Sequence, residues 1–155
     1  MYENQIVTEP KWKSWIIQTT KPLFTPEQCK KIIECGRRQP PQQAKVGMGR
    51  PGGGTDTKKR ITTVSWLPFG EMEPMYRDLN KFIQTCNENH FGFGDIRVTE
   101  NAQFTEYPEG GFYDWHMDCD VNMQHEPPVR KISMTLLLND PSEFEGGHLE
   151  LMAPG

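Results

Sequence analysis

The sequence predicts a mainly β domain of the α+β kind, with two supporting helices placed ahead of most of the strands. Three observations carry this. Fourteen Gly and 13 Pro are spread among short apolar runs, which marks many turns rather than a helical bundle. Only two segments repeat apolar residues with helical spacing, and β-branched or alternating runs dominate from Ile61 onward. A chain of 155 residues buries roughly 68–70% of its unfolded surface, enough for one core.

The first helix is announced by its cap. Thr25 is an N-cap residue, Pro26 suits the first helical position, and Gln28 completes a capping box. Cys29, Ile32 and Ile33 then share one face, with Gly36 as the expected stop before Pro40 and Pro41. Met75, Leu79, Phe82, Ile83 and Cys86 predict a second helix ending near Asn89. Between the helices, residues 39–60 lack a period and are rich in Gly and Pro, so a long mobile loop is expected. The loop contains a formal GxGxxG at Gly47 to Gly52, but no strand precedes it and Pro51 stands where a helix would start, which excludes a dinucleotide site.

Strands are predicted at 61–66, 96–107, 112–117, 131–138 and 148–152, separated by turns at 108–111, 139–141 and 146–147. In the second of these, Ile96, Val98, Ala102 and Phe104 share one parity, while Asn101, Gln103, Thr105 and Tyr107 share the other. A polar row on a covered sheet has to line something wet, because buried polar groups need partners. Residues 1–24 read as an N-terminal extension with a first strand, and 25–155 as the domain proper.

Several function classes drop out. No apolar run reaches the ~18 residues of a membrane span, and the N-terminus lacks the apolar stretch of a signal peptide; a cytoplasmic protein without membrane contact is expected. Cys29, Cys35, Cys86 and Cys119 show no CxxC spacing and read as reduced thiols. A net charge of -4 argues against nucleic acid as the main partner. Neither HExxH nor paired Cys ligands point to zinc hydrolysis.

The chemistry concentrates in Phe112-Tyr113-Asp114-Trp115-His116-Met117-Asp118. On a strand, i and i+2 project from one face, so His116 and Asp118 would point into one space while Tyr113 and Trp115 turn away as packing. An imidazole and a carboxylate so placed, with one more His, make the facial triad of non-haem Fe(II) oxygenases. The bare pair arises easily by chance and needs context.

That context is the run Gln103 to Asp118, then Arg130 to Asn139, then Phe144 to Leu151. These blocks, in this order, resemble the prolyl-4-hydroxylase-like branch of the 2-oxoglutarate/Fe(II) dioxygenases, and most of all its PKHD-type hydroxylases. The resemblance implies a double-stranded β-helix, or jelly roll, with N-terminal helices. It further implies Fe(II) held by His116 and Asp118, 2-oxoglutarate as co-substrate with Tyr107 hydrogen-bonding near it, O2, and ascorbate as reductant. The implied reaction converts 2-oxoglutarate to succinate and CO2 and hydroxylates a C–H bond, with a prolyl residue of a peptide or protein as the expected target. The 39–60 loop would cover that substrate.

The same pattern requires a second metal His after the Gly146-Gly147 turn and then a basic anchor for the far carboxylate. Neither follows before Gly155, so the chain reads as a domain with its last strands missing and, in this form, inactive. His125, in a polar loop, His148 and His90 are poor replacements. Arg130 and Lys131 read as a solvated charge pair rather than an anion anchor. Two alternatives stand beside the hydroxylase: a metal-poor jelly-roll interaction module, and an oxygenase that dealkylates nucleic acid through Lys45, Arg50, Lys58, Lys59 and Arg60 as a phosphate stripe.

Overall fold

The structure, a computed structural model, describes residues 14–44, 56–118 and 130–152. Helix α1 spans Pro26–Arg38 and opens with the expected capping box: Gln28 N donates to Thr25 Oγ1 (3.3 Å) and Thr25 N donates to Gln28 Oε1 (2.8 Å). Gly36 does not stop the helix. It lies inside α1 because a Cβ there would sit 2.3 Å from Phe104 Cγ, so the glycine admits the close approach of a strand. Helix α2, Glu73–Cys86, runs into a single π turn over Asn87–Phe91 that closes at Gly92 with φ 69°. Asn87 ties that end down, donating to Phe93 O and accepting from Phe93 N, both at 2.9 Å.

Among the described residues five short strands follow in chain order: β1 (Gln42–Gln43), β2 (Arg60–Ile61), β3 (Thr63–Leu67), β4 (Ala102–Glu106) and β5 (Phe112–Tyr113). They form an antiparallel sheet β1-β3-β4 and an antiparallel pair β2-β5. No closed barrel is formed among the described residues. The expected strand at 61–66 is split at Thr62, whose Oγ1 donates to Glu106 O at 2.6 Å. The residues before it pair with β5 and those after it with β4.

The register places Ser65 opposite Phe104 and Leu67 opposite Ala102. This face meets the helices: Ser65 Oγ donates to Gly36 O (2.7 Å), and Phe104, Leu67, Ile32, Cys35, Met75, Tyr76, Leu79 and Phe24 form the core. The buried Tyr76 hydroxyl donates to Leu67 O and accepts from Ala102 N, both at 2.6 Å, stapling α2 to the ends of β3 and β4. Gln103 and Thr105 lie on the opposite face.

Several expected strands are shorter or absent. Residues 96–101 are not strand, because α2 captures their backbone: Asn80 Oδ1 accepts from Val98 N (3.3 Å) and Gln84 Nε2 donates to Ile96 O. No strand is found in 14–24. Residues 131–138 keep the side-chain alternation, with Leu136 and Leu138 against the core and Leu137 exposed, but no neighbour completes a ladder among the described residues. Residues 148–152 form no strand either. Of the 39–60 loop, Gln42–Gln43 is strand and 45–55, with the GxGxxG, lies outside the described residues. Cys29, Cys35 and Cys86 are free thiols, as expected; Cys119 is outside.

Candidate metal centre

The antiparallel pair β2-β5 builds the site. Gly111 allows its tight entry, because a Cβ there would meet Ile61 O at 2.9 Å, and Gly110 before it adopts φ 71°. Arg60 lies directly across from Tyr113, and Asp114 N donates to Lys59 O (2.8 Å) as the last rung. The strand then ends. Asp114 Oδ1 accepts from Trp115 N at 2.8 Å, a local turn that redirects the chain.

This turn corrects the strand geometry expected for 112–117. His116 and Asp118 do converge, with Nε2 3.1 Å from Oδ1, but they do so beyond the strand. Trp115 is 58% exposed rather than packed. Tyr113 does not turn away: its ring stacks on the His116 imidazole, with centroids 3.5 Å apart and planes at 14°.

The donor chemistry fits a cation. His116 Nδ1 lies 2.7 Å from Asp114 O; a carbonyl only accepts, so Nδ1 carries a hydrogen and Nε2 is the nitrogen that faces Asp118. Two lone-pair donors this close need a proton or a metal between them. Adjacent ligands on one octahedral ion, with bonds of about 2.1 Å, stand about 3 Å apart, which matches the separation seen. Arg130 braces the carboxylate residue: its Nη1 donates to Asp118 O (2.7 Å), while Nη2 and Nε hold Glu100 Oε1 at 2.7 and 3.1 Å. Arg130 and Lys131 are both exposed, as a solvated pair would be, and Arg130 is in addition engaged with Glu100 and Asp118 O. Among the described residues no three His, Cys, Asp or Glu groups gather into a metal site. His148 is exposed and His90 sits in the π turn after α2, while His125 lies outside the described residues.

Tyr107 follows β4, half exposed at 51%. Burial of its hydroxyl pushes its pKa above the ordinary phenol value, opposed by the nearby Arg60 charge. Arg60 itself is the residue that sequence reasoning placed elsewhere. It is 8% exposed, its Nη2 donates to Gln103 Oε1 (2.9 Å), and its guanidinium carbon stands 4.2 Å from the Tyr113 ring centre. It is thus removed from the proposed phosphate stripe, of which Lys45 and Arg50 lie outside the described residues and Lys58 and Lys59 are exposed. Its signal in the sequence was slight: a charged residue opening a β-branched run.

Comparison with known proteins agrees with the motif blocks. Residues 102–155 match the model of the 2OG-Fe(II) oxygenase superfamily. A PKHD-type hydroxylase of Stenotrophomonas maltophilia is 33% identical over 84 residues, which cover 51% of this chain and 37% of that enzyme. The chain thus spans little more than a third of the length of this relative. No solved structure matches. No helix among the described residues is long and apolar enough to cross a membrane.

Proposed function

We propose, from the match of residues 102–155 to the 2OG-Fe(II) oxygenase superfamily model, that the chain carries the metal-binding part of a 2-oxoglutarate-dependent hydroxylase of PKHD type. Its proposed target is a C–H bond of a prolyl residue in a peptide or protein, and its surrounding fold a jelly roll. The observation that carries the reading is the 3.1 Å approach of His116 Nε2 to Asp118 Oδ1 inside the segment that matches the superfamily.

When bound, Fe(II) with 2-oxoglutarate supplies O2 activation, coupling decarboxylation to hydroxylation, with ascorbate as reductant. The chain's own residues do the positioning. His116 and Asp118 supply two ligands. Asp114 O fixes the imidazole tautomer, and the Tyr113 ring holds its plane. Arg130 anchors the backbone of Asp118 to Glu100. The third protein ligand is proposed to come from outside the described residues. Tyr107, whose hydroxyl burial pushes above the ordinary phenol value, is proposed as a hydrogen-bond donor toward the co-substrate.

Anaerobic addition of Fe(II) and 2-oxoglutarate tests this directly. The proposal expects a weak visible charge-transfer band that His116→Ala abolishes, and consumption of 2-oxoglutarate to succinate once air is admitted. Absence of both in a protein extended to its relative's length would favour the non-catalytic interaction module instead. A proline-containing peptide gaining one oxygen by mass spectrometry would support the prolyl target, and a methylated oligonucleotide losing its methyl group would refute it.

A further inference from the structure

Arg60 is a buried cation whose contacts among the described residues are to neutral groups. Its Nη2 donates to Gln103 Oε1 on β4 (2.9 Å), its guanidinium carbon stands 4.2 Å over the centre of the Tyr113 ring on β5, and its Nε has no hydrogen-bond partner. A buried charge left partly unsatisfied costs stability rather than adding to it. Holding the fold together therefore does not account for this residue.

Its position behind the two metal donors does. The Tyr113 ring carries the His116 imidazole at 3.5 Å between centroids and 14° between planes. An imidazole lying parallel at that distance covers one face of the phenol ring, so the guanidinium standing over the same ring takes the other. Contact with a ring face is where an aromatic attracts a cation, and a planar guanidinium stacks there without losing its hydrogen bonds. The backbone gives that ring little hold. Strand β5 is two residues long, its last rung is the bond from Asp114 N to Lys59 O, and the chain turns directly afterwards. Gln103, by contrast, belongs to the β3-β4 ladder, which runs through five paired positions. The line Gln103–Arg60–Tyr113–His116 thus ties an exposed imidazole to the longest ladder of the fold.

We propose that Arg60 is a positioning residue: anchored by Gln103, it clamps the Tyr113 ring and through that ring sets the plane of the His116 imidazole. The consequence for metal binding rests on the oxygenase reading of His116 and Asp118, whereas the clamp itself operates in the metal-free protein.

NMR of the metal-free protein reads the clamp. The ring current of a stacked phenol moves the imidazole Hδ2 and Hε1 signals of His116 upfield, and Tyr113→Leu supplies the unstacked reference. Arg60→Leu should bring these signals most of the way to that reference, and Arg60→Lys, which keeps a cation over the ring, should retain part of the shift. The core rings of Tyr76 and Phe104 report the fold in the same spectrum and should not move. The urea midpoint of Arg60→Leu should stay near the parent's, because a partly unsatisfied buried charge has been removed. Imidazole signals that remain fully shifted in Arg60→Leu overturn the proposal. A large fall in the midpoint would make Arg60 a structural residue and overturn it equally.

Mn(II) binding without any acid, followed by electron paramagnetic resonance, reads the consequence. Arg60→Leu should weaken it roughly 10-fold, the lower end of the range for residues that orient a ligand. Tyr113→Leu should weaken it at least as much, and the double variant no more than Tyr113→Leu alone, since Arg60 acts through that ring. Losses that add overturn the path through Tyr113. If Mn(II) fails to bind even the parent, the oxygenase reading falls, and the His116 signals still decide the clamp.

Discussion

Replacing Gly36 by alanine sets two physical effects of opposite sign against each other. In the interior of α1, alanine is favoured over glycine by roughly 1 kcal/mol through backbone entropy. Here, however, the new methyl would lie 2.3, 2.4 and 2.7 Å from three ring carbons of Phe104, well inside contact distance. Phe104 is 7% exposed and belongs to the core cluster, so the ring can move aside only by giving up its own packing. Overpacking of this kind costs about 1–3 kcal/mol, and moving α1 away would also stretch the 2.7 Å bond from Ser65 Oγ to Gly36 O. The net expectation is a destabilisation of about 1–2 kcal/mol. Urea unfolding followed by circular dichroism would show it as a lower midpoint with an unchanged slope. A Gly36→Ala protein as stable as the parent, or more so, would refute the claim that this glycine is there for packing.

Further outcomes follow from the same contacts. Thr25→Ala removes one half of the capping box and should lower stability by about 0.5–2 kcal/mol in the same urea assay. Tyr76→Phe leaves Leu67 O and Ala102 N without their buried partner and should cost about 1–3 kcal/mol; an unaltered midpoint would show that water replaces the hydroxyl. Burial raises the pKa of Tyr76, Tyr107, Cys35 and Cys86. The unfolded chain therefore gives up these protons first, and stability should decline as pH rises past about 8.5 for the thiols and about 10 for the phenols; a flat thermal midpoint across that window would contradict it. Arg130→Ala should weaken Fe(II) binding roughly 10- to 100-fold, as loss of a group that orients a ligand does, with a smaller change in melting temperature than in affinity.

Local signals were legible in the sequence, and long-range ones were not. The α1 cap is settled by Thr25, Pro26 and Gln28 within one turn, so pattern alone locates it. Gly36 looked like a stop because a glycine at a helix end and a glycine under a strand are the same letter. Only Phe104, 68 positions later, distinguishes them. The 96–107 run has strand alternation throughout, yet Asn80 and Gln84 bind the backbone of its first half. His116 and Asp118 were visible as a pair, although a turn rather than a strand brings them together. The partners of that pair were hidden because they arise from pairing across the chain: Arg60 meets Tyr113 through β2-β5, and Arg130 reaches Asp118 O from beyond the intervening segment.

The proposed sharing of one cation by His116 and Asp118 is tested most directly by anaerobic calorimetric titration of Fe(II) into the parent protein, the two single alanine variants and the double variant. If both side chains share one ion, each single variant should bind as weakly as the double, since removing either breaks the same site. Single variants that keep the parent's affinity, or lose it additively as independent sites would, contradict the account.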